Sequence, residues 1–185
     1  ASANPSQGYS PEYLWSYEAG FKSDLFDQRL RLNGTVFHYN YSDLQVQSFL
    51  TPGVIDITNA SDAKVNGVEI EALARPVPGL DLGGYVAYLD AVYENYPTAL
   101  KPGNIPFDAS GQTINSAPKW SYTAFAQYRH ELGSGAALLG RAEYNWRDRQ
   151  FFTPENNLVE TQPSYGVHNA HLGYVSPGGR WQVFV

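Results

Sequence analysis

Glu69 and Glu71 stand two residues apart, a pair with the chemistry of an acid and a nucleophile. On a strand that spacing puts both on one face. A glycosidase asks for more, since its two carboxyls usually come from different strands and a pocket raises the pKa of one. His168 and His171 are three apart, which on a strand sends them to opposite faces, so they cannot grip one metal ion together. His38 and His130 are isolated. The chain has no Cys, and with it no disulfide, thiolate metal site or thiol nucleophile. It has no Gly-x-Ser-x-Gly elbow either. Gly133-Ser134-Gly135 and Gly178-Gly179 are turn glycines with no helix behind them to cradle a phosphate. Asn33-Gly34-Thr35 fits a glycosylation sequon but falls in mid-strand. These residues lead to an expectation of no catalysis, no resident cofactor and no side-chain metal site.

The elements that carry them read as strands. Helical periodicity is nearly absent and alternation dominates. Tyr13, Trp15, Tyr17, Ala19 and Phe21 alternate with Leu14, Ser16, Glu18, Gly20 and Lys22. Trp120, Tyr122, Ala124, Ala126 and Tyr128 alternate with Ser121, Thr123, Gln127 and Arg129 in the same way. Eight strands are predicted, near 12–25, 29–48, 63–75, 80–94, 118–131, 136–150, 164–175 and 180–185.

The connections sort by length. Phe26–Gln28, Pro76–Gly79, Leu132–Gly135 and Ser176–Gly179 are short; Phe49–Asp62, Asn95–Ala117 and Phe151–Pro163 are long. Short and long alternate, so in an antiparallel sheet all short turns lie at one end and all long loops at the other. That is the layout of an outer-membrane barrel.

Composition narrows the class. There are 185 residues, a net charge of −6 and 27 aromatics (14 Tyr, 9 Phe, 4 Trp). The acidic balance argues against a nucleic-acid partner. The longest apolar stretch, around Gly135–Gly140, falls far short of the roughly 18 residues of a membrane helix. Aromatic and β-branched residues are too plentiful for disorder. The absence of Met and of a signal peptide in Ala1–Gly8 suggests a chain processed or cut from something longer.

Alternation alone fits a soluble sandwich as well as a membrane wall. Strand length favours the membrane, because several strands run well past the roughly 5–6 residues usual in soluble sheets. Aromatics cluster near strand ends as an interfacial girdle would: Tyr9, Tyr13 and Trp15; Phe37, Tyr39 and Tyr41; Tyr93 and Tyr96; Trp120 and Tyr122; Tyr144 and Trp146. The apolar face then meets outer-membrane lipid. The lumen receives Glu18, Lys22, Arg31, Glu69, Glu71, Arg75, Gln127, Arg129, Arg141, Glu143 and Arg147. Both signs are interleaved there, which suits contact with an inserted polar plug better than an ion filter.

These residues also carry a resemblance. Ser10–Val46, with Pro11-Glu12, Tyr17-Glu18-Ala19-Gly20-Phe21-Lys22 and Tyr41-Ser42-Asp43-Leu44-Gln45, resembles a signature stretch of TonB-dependent outer-membrane receptors. Asn59-Ala60, Ala63, Gly67-Val68-Glu69-Ile70-Glu71, Tyr88-Leu89-Asp90-Ala91-Val92-Tyr93 and Ala117-Pro118 continue the family's order and spacing. The resemblance implies an all-β transmembrane antiparallel barrel segment of about eight strands, part of a barrel of about 22 strands with a plugged lumen. Residues 1–185 would be a C-terminal part of that barrel domain, with the plug, the TonB-contacting region and the final strand outside it. Standing alone, the segment would be a curved open sheet whose first and last strands do not pair. The implied function is active uptake of a scarce nutrient, by default a ferric siderophore, energised through TonB. Cobalamin, haem and saccharides remain open as ligands.

The long loops hold Phe49, Tyr96, Phe107, Phe151 and Phe152 with Asn104, Gln112, Asn115, Asn156 and Asn157. Such a mixture suits capture of an aromatic or sugar-like ligand, or equally loop–loop packing. If the loops bind, Phe107, Phe151 and Phe152 are the candidates. Two rival readings remain: a closed eight-stranded outer-membrane barrel with a structural or adhesion role, and a soluble secreted carbohydrate-binding β-protein.

Overall fold

The computed structural model describes residues 10–51, 54–101, 103 and 105–185, with side chains described outside 47–61. The described strands, in chain order, are β1 (Tyr13–Leu25), β2 (Leu30–Thr51), β3 (Val54–Ala74), β4 (Leu80–Asn95), β5 (Ala99–Lys101), β6 (Ile105–Phe107), β7 (Trp120–Glu131), β8 (Ala137–Arg147), β9 (Gln150–Phe151), β10 (Thr161–Gln162), β11 (Tyr165–Val175) and β12 (Gln182–Phe184). Eight of them form one sheet in the order β1-β2-β3-β4-β7-β8-β11-β12. Every neighbouring pair is antiparallel. β5 pairs with β6 and β9 with β10 as separate two-stranded pieces. β1 and β12 occupy opposite edges, so among the described residues the sheet is open, as expected, and is not a closed eight-stranded barrel.

The register sorts the side chains. One row across the sheet is Phe21, Gly34, Ile70, Val86, Tyr122, Trp146 and Gly166. The next row, one residue along and on the other face, is Gly20, Thr35, Glu69, Ala87, Ser121, Arg147 and Tyr165. The first face is apolar and open: Trp15 is 67% exposed and Leu172 70%. No second layer covers it. In water such a face would be a large apolar patch; in a membrane wall it is the lipid side.

Most of the buried hydrophobic residues gather at the end of the long loops, while Ala136, Ala137 and Ser176 are buried at the short-turn end. Val46, Ala63, Tyr93, Tyr96, Ala99 and Ala109 form one buried cluster, with Tyr41, Leu44, Phe107 and Ile114 packed on it. The cluster joins the upper ends of β2, β3 and β4 to the 96–116 segment.

Three expectations need correction. Phe49–Asp62 is not a long loop: β2 continues to Thr51, β3 starts at Val54, and Gln45 to Phe49 pair with Asn59 to Ile55. Val54, Ile55, Ile57 and Thr58 are β-branched and favour extended backbone. The register breaks where this hairpin outgrows its neighbours. β2 shifts between Tyr41 and Leu44, just where its pairing to β1 ends at Ser42. The β3–β4 register shifts between Asp62 and Ala63, with Glu94 the extra residue near the end of β4. Such bulges bend the strand and end pairing at a rim.

Second, the aromatic girdle is narrower than expected. Phe37, Tyr39 and Tyr41 lie on the charged face, opposite Glu18, Ser16 and Leu14, while Tyr93 and Tyr96 are buried. Third, the long connections 95–117 and 151–163 are partly ordered, since they hold β5, β6 and β10. Tyr9 and Asn104, and the side chains of Phe49, Asn59 and Ala60, lie outside the described residues.

Candidate functional site

The register puts Glu18, Lys22, Glu69, Glu71, Arg129, Arg141, Glu143 and Arg147 on one face of the sheet. Most are engaged with neighbouring polar groups. Glu18 Oε1 accepts from the Tyr39 hydroxyl at 2.7 Å and from Ser16 at 3.1 Å. Asn33 Nδ2 donates to Glu71 Oε2 at 3.0 Å, and the Tyr85 hydroxyl lies near Glu69. Glu69 and Glu71 thus serve separate cross-strand contacts and do not work as an acid–nucleophile pair. Arg129 meets Glu131 at 2.7 Å.

The most connected group is Glu143. Arg141 donates to it at 2.6 Å and Asn145 at 2.8 Å, while Thr123 donates to Asn145 Oδ1 at 2.7 Å. The Arg141 guanidinium also sits 3.8 Å from the centre of the Phe125 ring, a cation–π contact. Lys22 and Arg147 make no side-chain hydrogen bond or ion pair among the described residues.

The histidines are dispersed. His168 stands opposite Tyr144 on the apolar face and His171 opposite Arg141 on the charged one. His38 Nδ1 is 2.8 Å from Asn66 Oδ1. Among the described residues no group of three or more His, Cys, Asp or Glu could hold a metal ion, and no helix is long and apolar enough to cross a membrane.

At the loop end, the three aromatic candidates have different surroundings. Phe107, on β6, packs on the buried cluster. Phe151, on β9, accepts a backbone hydrogen bond from Ser116 of the other long loop at 2.8 Å. Phe152 is half exposed. Lys101 connects the two loops: its ammonium lies 5.0 Å from the Phe107 ring centre and 3.1 Å from Glu155 Oε1. Asn156 makes the closest junction, with its side-chain amide bonded to both backbone groups of Thr113. The loops are therefore packed on one another, with Phe107 serving that packing and Phe152 facing outward.

Sequence reasoning missed Lys101 and Ser110 and left Asn156 as one amide among several. Ser110 accepts from the Tyr96 backbone N–H at 2.9 Å and donates its own N–H to Asp108 at 2.9 Å. These hydrogen bonds hold the Asp108 carboxyl below the usual carboxylate range, the Ser110 hydroxyl contributing most and the Ser110 backbone N–H next.

Comparisons agree with this architecture. The family model described as TonB dependent receptor-like, beta-barrel, matches residues 1–185. The metal-pseudopaline receptor CntO of Pseudomonas aeruginosa is 28% identical over 176 residues, covering 90% of this chain and 23% of that protein. The chain thus spans about a quarter of the relative's length. The siderophore receptor PiuA from Acinetobacter baumannii matches 93% of this chain and 24% of its own with a TM-score of 0.71 at 23% identity. The ferric yersiniabactin uptake receptor FyuA from Yersinia pestis matches 88% of this chain and 22% of its own with a TM-score of 0.69 at 21% identity.

Proposed function

The chain belongs to the family of TonB-dependent receptor-like β-barrels, and on that premise we propose that it forms wall and mouth of a receptor importing a metal chelate, most simply a ferric siderophore. The family is one of Gram-negative outer-membrane transport receptors, not enzymes, and this chain is an outer-membrane barrel segment. The observation that carries the proposal is the two-sidedness of the sheet. One face is apolar and open, as lipid requires. The other carries hydrogen-bonded charges of both signs, as suits a wall facing a polar plug.

In this reading the barrel has about 22 strands and the plug belongs to the same full-length polypeptide. The interlocked loops at one end receive the chelate. TonB, acting through a region outside this segment, supplies the energy that rearranges the plug. CntO is named for metal-pseudopaline and FyuA for ferric yersiniabactin, and PiuA is a siderophore receptor, which favours a metal chelate over cobalamin or a saccharide.

The test is uptake of radiolabelled ferric chelates by cells expressing the full-length receptor, with and without TonB. Uptake that needs both receptor and TonB is expected. Uptake that persists without TonB, or no chelate taken up at all, would overturn the proposal.

A further inference from the structure

We propose that Ser121, Arg147 and Tyr165 form an oxyanion-recognition row at the mouth, which takes a carboxylate of the incoming chelate; this rests on the receptor reading above. The three residues are direct cross-strand partners, Ser121 opposite Arg147 and Arg147 opposite Tyr165. Neighbouring strands lie about 4.8 Å apart, so the three side chains leave the same face of the sheet side by side. All three line a single cavity, with Tyr85 and Asn145 beside them.

The row is rich in donors and has no anion of its own. Arg147 offers five N–H groups in a planar fork that matches a carboxylate. None of the three side chains has a hydrogen-bond partner among the described residues. The nearby acceptors are committed elsewhere. Glu143 lies four residues down β8 and is held by Arg141 and Asn145. Asp148 receives the Arg149 backbone N–H at 2.7 Å. Glu69 shares the row but stands three strands away, about 14 Å at ordinary strand spacing. An exposed guanidinium that shares a cavity with two hydroxyl-bearing side chains and forms no ion pair among the described residues calls for an external oxyanion.

Position argues that the oxyanion arrives with the ligand. Ser121 is the second residue of β7, Arg147 the last of β8 and Tyr165 the first of β11. Each adjoins a long loop, and Phe151 follows Arg147 by four residues. Among the cations predicted to line the lumen, Lys22 is the other one without an ion pair among the described residues; it sits towards the short-turn end of β1 and is not first in a ligand's path.

The experiment uses the full-length receptor in cells. Iron-55 uptake is followed with ferric citrate as the carboxylate-bearing probe and a neutral ferric trihydroxamate as the control, for wild type, Arg147→Ala, Arg147→Lys and Tyr165→Phe. Outer-membrane assembly is checked for each by heat-modifiable mobility on gels. The expected result is that Arg147→Ala raises the half-saturating ferric citrate concentration tenfold or more. Arg147→Lys should raise it less, and Tyr165→Phe a few-fold. Ferric citrate uptake unchanged in Arg147→Ala overturns the proposal. So does wild-type uptake of the neutral chelate but not of ferric citrate, which leaves the receptor reading standing. Equal loss of both chelates in Arg147→Ala also overturns it, because the row would then serve the protein's own assembly or its plug. Uptake of neither chelate by wild type overturns this proposal, since a carboxylate-binding mouth should admit ferric citrate; the receptor reading falls only if no other ferric chelate is taken up either.

Discussion

Asn156 grips Thr113 by both backbone groups: its Oδ1 accepts from the Thr113 N–H at 2.8 Å and its Nδ2 donates to the Thr113 carbonyl at 3.0 Å. This is the pairing a neighbouring strand would offer, supplied by one side chain. On its other side Thr113 bridges to Val92 of β4. Asn156 therefore fastens the 148–164 loop, through the 96–116 loop, to the wall. Asn156→Ala removes both bonds, each worth about 0.5–1.5 kcal/mol net. Hydrogen exchange in the full-length receptor should then quicken in both loops. Quickening confined to the loop that bears residue 156 would show that the junction does not couple them.

Phe37 lies over Gly67, its direct partner across β2 and β3, and a Cβ at Gly67 would run into the ring. Phe21 covers Gly34, Phe125 covers Gly83 and Phe184 covers Gly173 in the same way. A glycine leaves a gap in the pleat, and an aromatic ring from the adjacent strand fills it. Gly67→Val should destabilise the barrel by about 1–3 kcal/mol through overpacking. The double variant Gly67→Ala with Phe37→Ala should cost less than the sum of the two single changes. Denaturant unfolding in detergent micelles measures both, and strict additivity would refute the coupling.

The two faces should respond differently to a new charge. Ala126 lies on the apolar face, next in sequence to Gln127 on the charged one. Ala126→Arg puts a cation against lipid at a cost of about 2–4 kcal/mol if it sits near the bilayer midplane. Gln127→Arg enters a polar environment and should cost far less. Refolding into phospholipid vesicles at graded urea concentrations compares them. Equal costs would mean that the faces have been assigned wrongly.

Much of this wall was legible from parity alone. Counting by twos along β7 separates Trp120, Tyr122 and Tyr128 from Ser121, Gln127 and Arg129, and the register confirms the split. The girdle reading failed where aromatic identity was allowed to outweigh parity. Phe37, Tyr39 and Tyr41 share the odd positions of β2 with Arg31, so the same counting puts them on the charged face. The β2–β3 extension was missed because a Pro-Gly pair at 52–53 and nearby polar residues look like loop, while Ile55 and Ile57 pull towards strand. The loop junctions were not legible at all. Asn156 and Thr113 are 43 residues apart, and no local pattern announces a contact that tertiary packing creates.

Asp108 makes the loop cluster sensitive to acid. Its carboxyl accepts hydrogen bonds from Ser110, whose hydroxyl also receives the backbone N–H of the buried Tyr96. Because folding lowers the Asp108 pKa, the ionised carboxylate is favoured in the folded loop over the unfolded one. Its stabilisation is fully present above the ordinary aspartate pKa of about 3.9. It falls away as pH drops from there through the lower folded value. Amide exchange at Tyr96 and Ser110, corrected for the intrinsic pH dependence, should therefore quicken below about pH 4. Asp108→Asn cannot titrate and should leave the corrected rates flat across that window. If the variant shows the same acid response as the native receptor, another group is responsible and the Asp108–Ser110 contact is not the sensor.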